Sequence, residues 1–248
     1  MKAMIFAAGL GTRLKPFTLE HPKALVPVGG IPMLERVIRK LIAVGANDIV
    51  VNVHHFSNQI IDFISHGDWG GAKITISDET GLLLDTGGGI LNARKWLEDA
   101  DGPIIVHNAD ILTDFDIKKM IDCHLEKSPL ATLLVKKRET TRYIVFDHDM
   151  KMKGWTNISN GERKPSDLQY DASDLYAFGG VHLISPSIFP LLEQFANGQD
   201  VFSIMSFYIS ACNSHHILGY APTESYHWYD VGKPSTLALA EKEIFVEK

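Results

Sequence analysis

Strand-like and helix-like segments alternate along the first half of this chain, and the alternation constrains its fold more than any other feature. It starts with an apolar run, Met4–Ala8, that reads as a buried strand and empties into a glycine-rich turn. Asp48–Val53, Lys73–Ser77 and Ile104–His107 also read as strands. Helical patterns lie between and after them. Pro32–Val44 puts Leu34, Val37, Ile38, Leu41 and Ile42 on one face before a Gly45 stop. Ser57–Ser65 is a short helix opened by a Ser cap and closed before Gly67, and Gly89–Leu97 is helical after a glycine run. Asp116–Glu126 carries a stripe of Ile117, Met120, Ile121 and Leu125. This pattern predicts an α/β fold with a doubly wound, mostly parallel sheet and helices on both faces.

The second half changes character. Ala131–Lys136, Tyr143–Phe146 and Tyr176–Ile184 read as strands, and Pro186–Phe195, Val201–Ala211 and Ser235–Phe245 as helices. The span Gly154–Asp174 is polar and turn-rich and reads as a mobile flap. There is no internal repeat, low-complexity tract or linker, so the expectation is one domain over 1–248 with a small antiparallel extension. The chain is long enough to bury a substantial core. Its 45% apolar and 22% charged content suits a soluble globular protein. A net charge of −6 argues against a general nucleic-acid binder and leaves room for a local cationic pocket. No apolar run is long enough to span a membrane, and the N-terminus lacks a signal-peptide layout, so a cytoplasmic compartment is expected. Cys123 and Cys212 lie in apparent helical segments, without metal-ligand spacing.

The chemistry concentrates in the turn after the first strand. Gly9 and Gly11 have no Cβ, so their amides can approach a ligand closely and adopt positive φ. Arg13 follows at once, and Lys23 is ten residues further on. Backbone donors with two cations in one loop make a polyphosphate cradle. A P-loop is excluded, because Thr12 follows Gly11 where a lysine is needed. A dinucleotide fingerprint is excluded too, because its third glycine position holds Leu14 and Asn52-Val53-His54 offers no acid for a ribose.

Two aspartates complete the constellation. Asp110 follows the apolar strand that ends at His107, and Asp230 closes Trp228-Tyr229-Asp230-Val231-Gly232. An aspartate at a strand end is otherwise a turn residue or helix cap. A pair beside a phosphate-binding loop suits one hard cation such as Mg²⁺, which takes one or two carboxylates with waters and substrate phosphate. Asp114 is a weaker competitor for the ion, and Asp116 reads as the cap of the next helix. Gly87-Gly88-Gly89 leaves bare backbone suited to packing against a flat base or sugar, or forms a flexible loop. Gly179-Gly180, inside a strand pattern, signals a bulge or a close ligand approach. The pairs His54-His55 and His215-His216 read as structural. Lys136-Lys137-Arg138 is a solvated strand end or a help to an anionic substrate. Trp69, Trp96 and Trp155 read as packing residues.

The opening block, Asp110 after a buried strand, the Thr86-Gly87-Gly88-Gly89 run and Trp228–Gly232, in that order, resemble the sugar-1-phosphate nucleotidyltransferases. The resemblance spans most of the chain and is weakest from Ala131 to Leu175. It implies a Rossmann-like fold, NTP and sugar-1-phosphate substrates, and Mg²⁺ held by Asp110 and Asp230. It implies that Arg13 binds the triphosphate and Lys23 the reacting phosphates. It places Gly9, Leu10, Gly11, Thr12 and Gly88 against the nucleotide, and Lys23, Asp110 and Gly180 on the sugar-phosphate side. Residues 1–130 are then the nucleotide-binding half and 131–248 the sugar-binding half. The chain looks like the short members without an appended β-helix domain. Its Thr-Gly-Gly-Gly run is most similar to that of N-acetylmuramate-1-phosphate uridylyltransferases. Mannose-1-phosphate guanylyltransferases and phosphocholine cytidylyltransferases share the first block almost as well, and a non-catalytic nucleotide-sugar-binding module would keep the same pocket. Ala109 replaces the glycine common before the metal aspartate, and no sugar-phosphate-binding lysine aligns in the middle region.

Overall fold

The computed structural model describes residues 1–244. In the first half the chain forms β1 (Lys2–Phe6), a ribbon of β2 (Pro27–Val28) and β3 (Ile31–Pro32), α1 (Met33–Ala43), β4 (Asp48–Val53), α2 (Ser57–His66) and β5 (Lys73–Asp78). Then come α3 (Asp85–Asn92), α4 (Arg94–Leu97), β6 (Ile104–Asn108), β7 (Ile111–Thr113) and α5 (Ile117–Lys127). The second half adds β8 (Ala131–Lys136), β9 (Arg142–Phe146), β10 (Met152–Asn157), β11 (Glu162–Lys164) and β12 (Leu175–Ile184). It ends with α6 (Ile188–Ala196), α7 (Ile204–Ala211), β13 (Ile217–Tyr220), β14 (Trp228–Asp230) and α8 (Pro234–Ile244). Phe245, the expected end of the last helix, lies outside the described residues.

One sheet runs β11-β10-β9-β12-β6-β1-β4-β5, with β8 paired to β12 and β13 to β8. β1 is parallel to β4 and β6, β4 to β5, and β13 to β8. β12 is antiparallel to β6, β8 and β9, and β10 to β9 and β11, so β12 and β10 alone run against the other strands of this sheet. The mostly parallel α/β architecture with an antiparallel extension is therefore the one expected. Side chains of a strand alternate between faces. Ala3 and Ile5 of β1 pack into one core with Leu34, Val37, Ile38 and Leu41 of α1, Ile60 of α2, and Ile117 and Met120 of α5. Met4 packs into the opposite core with Ile90 of α3, Phe189 and Leu192 of α6, and Phe207 and Tyr208 of α7. Full burial of each such aliphatic side chain contributes roughly 1.5–3 kcal/mol, and this alternation is what wraps helices on both faces.

Three local expectations are corrected. Ser57 is not a cap: the position before α2 is Phe56, in the left-handed region at φ 53°, with no side-chain cap. The triple glycine does not precede a helix but lies inside α3, which starts at Asp85. The span from Gly154 is not a free flap. β10 pairs with β9 and β11, so most of its backbone groups join the sheet ladder. Its polarity reflects an exposed edge strand, β11, rather than missing structure. The Gly179-Gly180 signal is a bulge: the β12–β8 register shifts between Phe178 and His182, and Gly180 has φ 75°.

Three imidazoles are buried in this frame. Burial pushes His107 and His124 down to about 4, and His182 to about 3. The His124 ring is paired through its two nitrogens with Thr132 Oγ1 at 2.8 Å and Ser185 Oγ at 3.0 Å. Their folded-state values lie below the unfolded value near 6.5. The unfolded chain therefore takes up more protons as acid is added, and stability falls as pH drops below about 6.5, levelling off only below about 3. Going from pH 7 to pH 5 should therefore lower stability, with the raised Glu79 carboxyl offsetting part of the loss. Urea unfolding at the two pH values measures this, and equal midpoints would contradict it.

Candidate active site

Parallel strands of a wound sheet leave a crevice at their carboxyl ends. Here β1 leads into Ala7–Gly9, β4 ends beside Asn52, and β6 leads into Asn108–Asp110. All of these line a cavity of about 470 Å³ with Lys23, Glu79, Leu83, Asp85, Thr86 and Val201. A second cavity, about 670 Å³, opens beyond it over the antiparallel extension. It is lined on the near side by Ile111, Arg138, Phe178, Gly180, Trp228 and Asp230, and Asn108 lines both cavities.

The glycine loop is pinned by local contacts. Gly11 sits at φ 63°, and a Cβ there would meet Lys23 Cβ at 2.8 Å and Thr18 Cγ2 at 2.9 Å. The Gly11 carbonyl accepts from Leu14 N at 3.0 Å and Thr18 Oγ1 at 2.9 Å, closing a short turn over Thr12–Leu14. Gly9 is not in the left-handed region, and open space faces its Cα. Leu10, Thr12 and Arg13 are exposed around the turn, whereas Leu14 is buried. Leu14 belongs to a small separate core with Val26, Val28, Met33, Leu112, Tyr229 and Val231. Leu112, Tyr229 and Val231 are close sequence neighbours of the two aspartates, so this core fastens the N-terminal loop to the strands that carry them.

Those strands, β7 and β14, form an antiparallel pair with Asp230 opposite Ile111. Val231 N donates to the Asp110 carbonyl at 2.9 Å, so Asp110 and Asp230 are neighbours despite their separation in sequence. Lys23 Nζ donates to Asp110 Oδ2 in a partly buried ion pair. Arg13 comes near the other carboxylate without pairing with it: a Cβ at Gly232 would lie 2.7 Å from Arg13 Nη2 and 2.7 Å from Asp230 Oδ1. Asp230 Oδ1 is buried and has no hydrogen-bond partner among the described residues. A buried anionic oxygen without a partner is costly unless a cation completes it, so the donor set fits a hard divalent ion. Among the described residues no group of three or more His, Cys, Asp or Glu side chains forms a cage. Two carboxylates with room for phosphate and water match Mg²⁺ better than an all-protein site.

Asp114 is not a competitor, because it accepts from His227 N and pairs with His227 Nδ1, both at 2.7 Å. Asp116 caps α5 by accepting from Lys118 N at 2.9 Å. Gly9, Lys23 and Asp110 line the first cavity and Gly180 and Asp230 the second, whereas Leu10, Gly11, Thr12, Arg13 and Gly88 line neither. Gly88 is packed away from both. Its amide donates to Phe202 O at 3.2 Å, and a Cβ on it would lie 2.0 Å from Asp200 O. The glycine run lets the 200–202 segment dock on α3, which places Val201, Asp85 and Thr86 in the wall instead. Gly88→Ala should therefore lower stability by about 2–3 kcal/mol through overpacking, whereas Gly9→Ala should shift it by less than about 0.5 kcal/mol. Thermal unfolding of the two variants distinguishes them; equal losses would contradict the reading.

The sequence reading missed the polar frame of the first cavity. Asn52 Oδ1 accepts from Ala7 N at 2.7 Å and Ala8 N at 3.3 Å, and its Nδ2 donates to Glu79 Oε1 at 2.8 Å. Burial raises Glu79, which is almost fully enclosed, above the usual carboxylate range, against the hydrogen bonds from Asn52 and Leu84. An asparagine interrupting Ile49-Val50-Val51 and Val53 was the available signal. Lys136-Lys137-Arg138 divides its roles. Lys136 lies over the Tyr226 and Trp228 rings, Lys137 Nζ donates to the Leu175 carbonyl at 2.8 Å, and Arg138 enters the second cavity over Trp228. Arg138 Nε is buried and lacks a partner among the described residues. Trp155, read as a packing residue, and Lys164 line the same cavity.

Comparison with known proteins fits this geometry. The model of the family described as Nucleotidyl transferase matches residues 2–246. An N-acetylmuramate alpha-1-phosphate uridylyltransferase of Caulobacter vibrioides is 31% identical, over 98% of this chain and 96% of its own length. A mannose-1-phosphate guanyltransferase of Yarrowia lipolytica is also 31% identical, over 78% of this chain. The alignment covers 52% of that protein, so the chain spans about half the length of the guanyltransferases it matches. A UDP-glucose pyrophosphorylase solved with UDP-glucose superposes with a TM-score of 0.80, covering 100% of this chain and 99% of that one; at 16% identity it shows the shared fold. No described helix is long and apolar enough to cross a membrane.

Proposed function

The chain belongs to the nucleotidyl transferase family, and from that we propose that it is a sugar-1-phosphate nucleotidyltransferase, taking N-acetylmuramate 1-phosphate and UTP to the UDP-sugar and pyrophosphate. The observation that carries this reading is the convergence of Asp110, paired with Lys23, and Asp230, whose neighbour Val231 bonds Asp110, with Arg13 on the far side of Gly232. The choice of sugar and base is supported by the Thr86–Gly89 run and by the relative that aligns over nearly the whole of both chains.

The nucleophile needs no general base. A phosphate monoester has a second pKa near 6, so it is largely dianionic at neutral pH. The obstacle is repulsion between two anions and the charge that builds on the leaving pyrophosphate, so positioning and electrostatics carry the catalysis. Asp110 and Asp230 would hold Mg²⁺, which supplies Lewis-acid polarisation of the α-phosphoryl group and charge neutralisation when bound. Lys23, already in the wall of the first cavity, orients the attacking phosphate against the α-phosphorus. Arg13 steadies the departing pyrophosphate with a planar fork of donors. The amides around Gly9, Leu10, Gly11 and Thr12 face the nucleotide. Arg138, at the inner end of the second cavity, is the cation suited to the sugar phosphate, with Gly180 allowing close approach. Residues 1–130 then serve the nucleotide and 131–248 the sugar.

A matrix of the four nucleoside triphosphates against N-acetylmuramate, mannose, glucose and N-acetylglucosamine 1-phosphates and phosphocholine, read by pyrophosphate release with Mg²⁺, tests the proposal. The largest kcat/KM is expected for UTP with N-acetylmuramate 1-phosphate. A maximum for GTP with mannose 1-phosphate, or CTP with phosphocholine, would reassign the substrates. No release from any pair would favour a non-catalytic nucleotide-sugar-binding module.

A further inference from the structure

We propose that the second cavity is shaped for a sugar 1-phosphate carrying a second acidic group, and that Arg142 is the residue that reads that acid. This rests on the transferase reading above and goes one step past it, from the reaction to a specificity residue.

The cavity sets three cations against two carboxylates, Glu162 and Asp230. Its lining includes Arg138, Arg142 and Lys164. Arg138 stands at the inner end: its guanidinium carbon is 4.9 Å from the Trp228 ring centre, two residues from Asp230. Lys164 is matched by Glu162 Oε1 at 3.0 Å. Arg142 is different. It is exposed, and its guanidinium makes no hydrogen bond or ion pair among the described residues. The one carboxylate facing it from the neighbouring strands is Glu162, whose charge Lys164 already engages.

Its place in the sheet sets what it can touch. Arg142 opens β9, opposite Asn157 of β10. One edge of β12 is taken by β8; β6 pairs with the other edge at Val181–Ile184 and β9 at Leu175–Tyr176, so β9 follows on beyond the carboxyl end of β6 and Arg142 lies past Asn108, over the second cavity. A hexose whose phosphate sits by Asp230 and Arg138 would turn its far edge towards Arg142. The wall between the two ends suits a substituted ring, with Trp155, Phe178 and Met205 as apolar surface and Asn157 and Asn160 as amide partners. A guanidinium with free edges matches a carboxylate by two parallel, charge-assisted hydrogen bonds. A hydroxyl offers it no such match.

The test compares two sugars that differ by one carboxylate-bearing ether: N-acetylmuramate 1-phosphate and N-acetylglucosamine 1-phosphate, with saturating UTP, read by pyrophosphate release. The wild-type chain should favour the acidic sugar by at least about 30-fold in kcat/KM, expressed mainly in KM. Arg142→Gln should bring the ratio to within about threefold by losing rate on the acidic sugar, and Arg142→Lys should restore part of it. Comparable use of both sugars by the wild type, or an equal loss on both in Arg142→Gln, overturns the proposal while leaving the transferase reading intact. Pyrophosphate from neither sugar with any nucleoside triphosphate overturns both. Arg142 is exposed at a strand end, so folding of the variants, checked by circular dichroism, is not at risk.

Discussion

Asp230→Asn is expected to lower kcat by about three orders of magnitude or more while leaving the melting temperature almost where it was. The two halves of this expectation have separate causes. Asp230 Oδ1 is buried without a hydrogen-bond partner among the described residues, so replacing the carboxylate by an amide of the same shape breaks no bond at that oxygen. What is lost is the negative charge that would hold a divalent ion against the substrate phosphates, and such electrostatic stabilisation is commonly the largest single contribution to phosphoryl-group chemistry. Asp110→Asn should cost a similar factor in kcat, with a small loss of stability because Lys23 then loses its charged partner. Steady-state kinetics across a Mg²⁺ titration checks both variants. Near-normal turnover at saturating Mg²⁺ in either one would remove that residue from the metal site.

Arg13→Ala should lower kcat by about 10²–10³ and change stability little, since the side chain is exposed and its neighbour Leu14 supplies the packing. The guanidinium lies against Gly232, beside Asp230, and in the proposed reaction it would meet the charge building on the leaving group. Arg13→Lys should recover only part of the loss, because an ammonium supplies charge without the planar pair of donors. An unchanged kcat with a raised KM would make Arg13 a ground-state binding residue instead.

Much of this was legible in the sequence because apolar periodicity reports burial directly. The strands at Asp48–Val53 and Ala131–Lys136 have the expected bounds, and α1 differs by one residue at each end. Edge structure was less legible: β10 and β11 carry few apolar residues because one side of the hairpin faces solvent, so they resemble a loop. The glycine run was ambiguous for a related reason. A missing Cβ signals close approach without saying to what, and here the approach is to Asp200 and Phe202. The pairing of Asp110 with Asp230 could be guessed from motif order alone. Its physical basis, the small core joining Leu14 to Leu112, Tyr229 and Val231, depends on contacts between distant segments that no local pattern encodes. The Asn52–Glu79 frame escaped for the same reason, since each residue is unremarkable until the other is placed beside it.

The account stands on one divalent ion shared by two aspartates and the substrate phosphates. Binding of Mn²⁺ as a paramagnetic stand-in, followed by electron paramagnetic resonance in the presence of UDP-sugar, measures this most directly in the wild type, Asp110→Asn and Asp230→Asn. One tightly bound ion per wild-type chain and none in either variant is the predicted result; binding of equal strength in all three would contradict it.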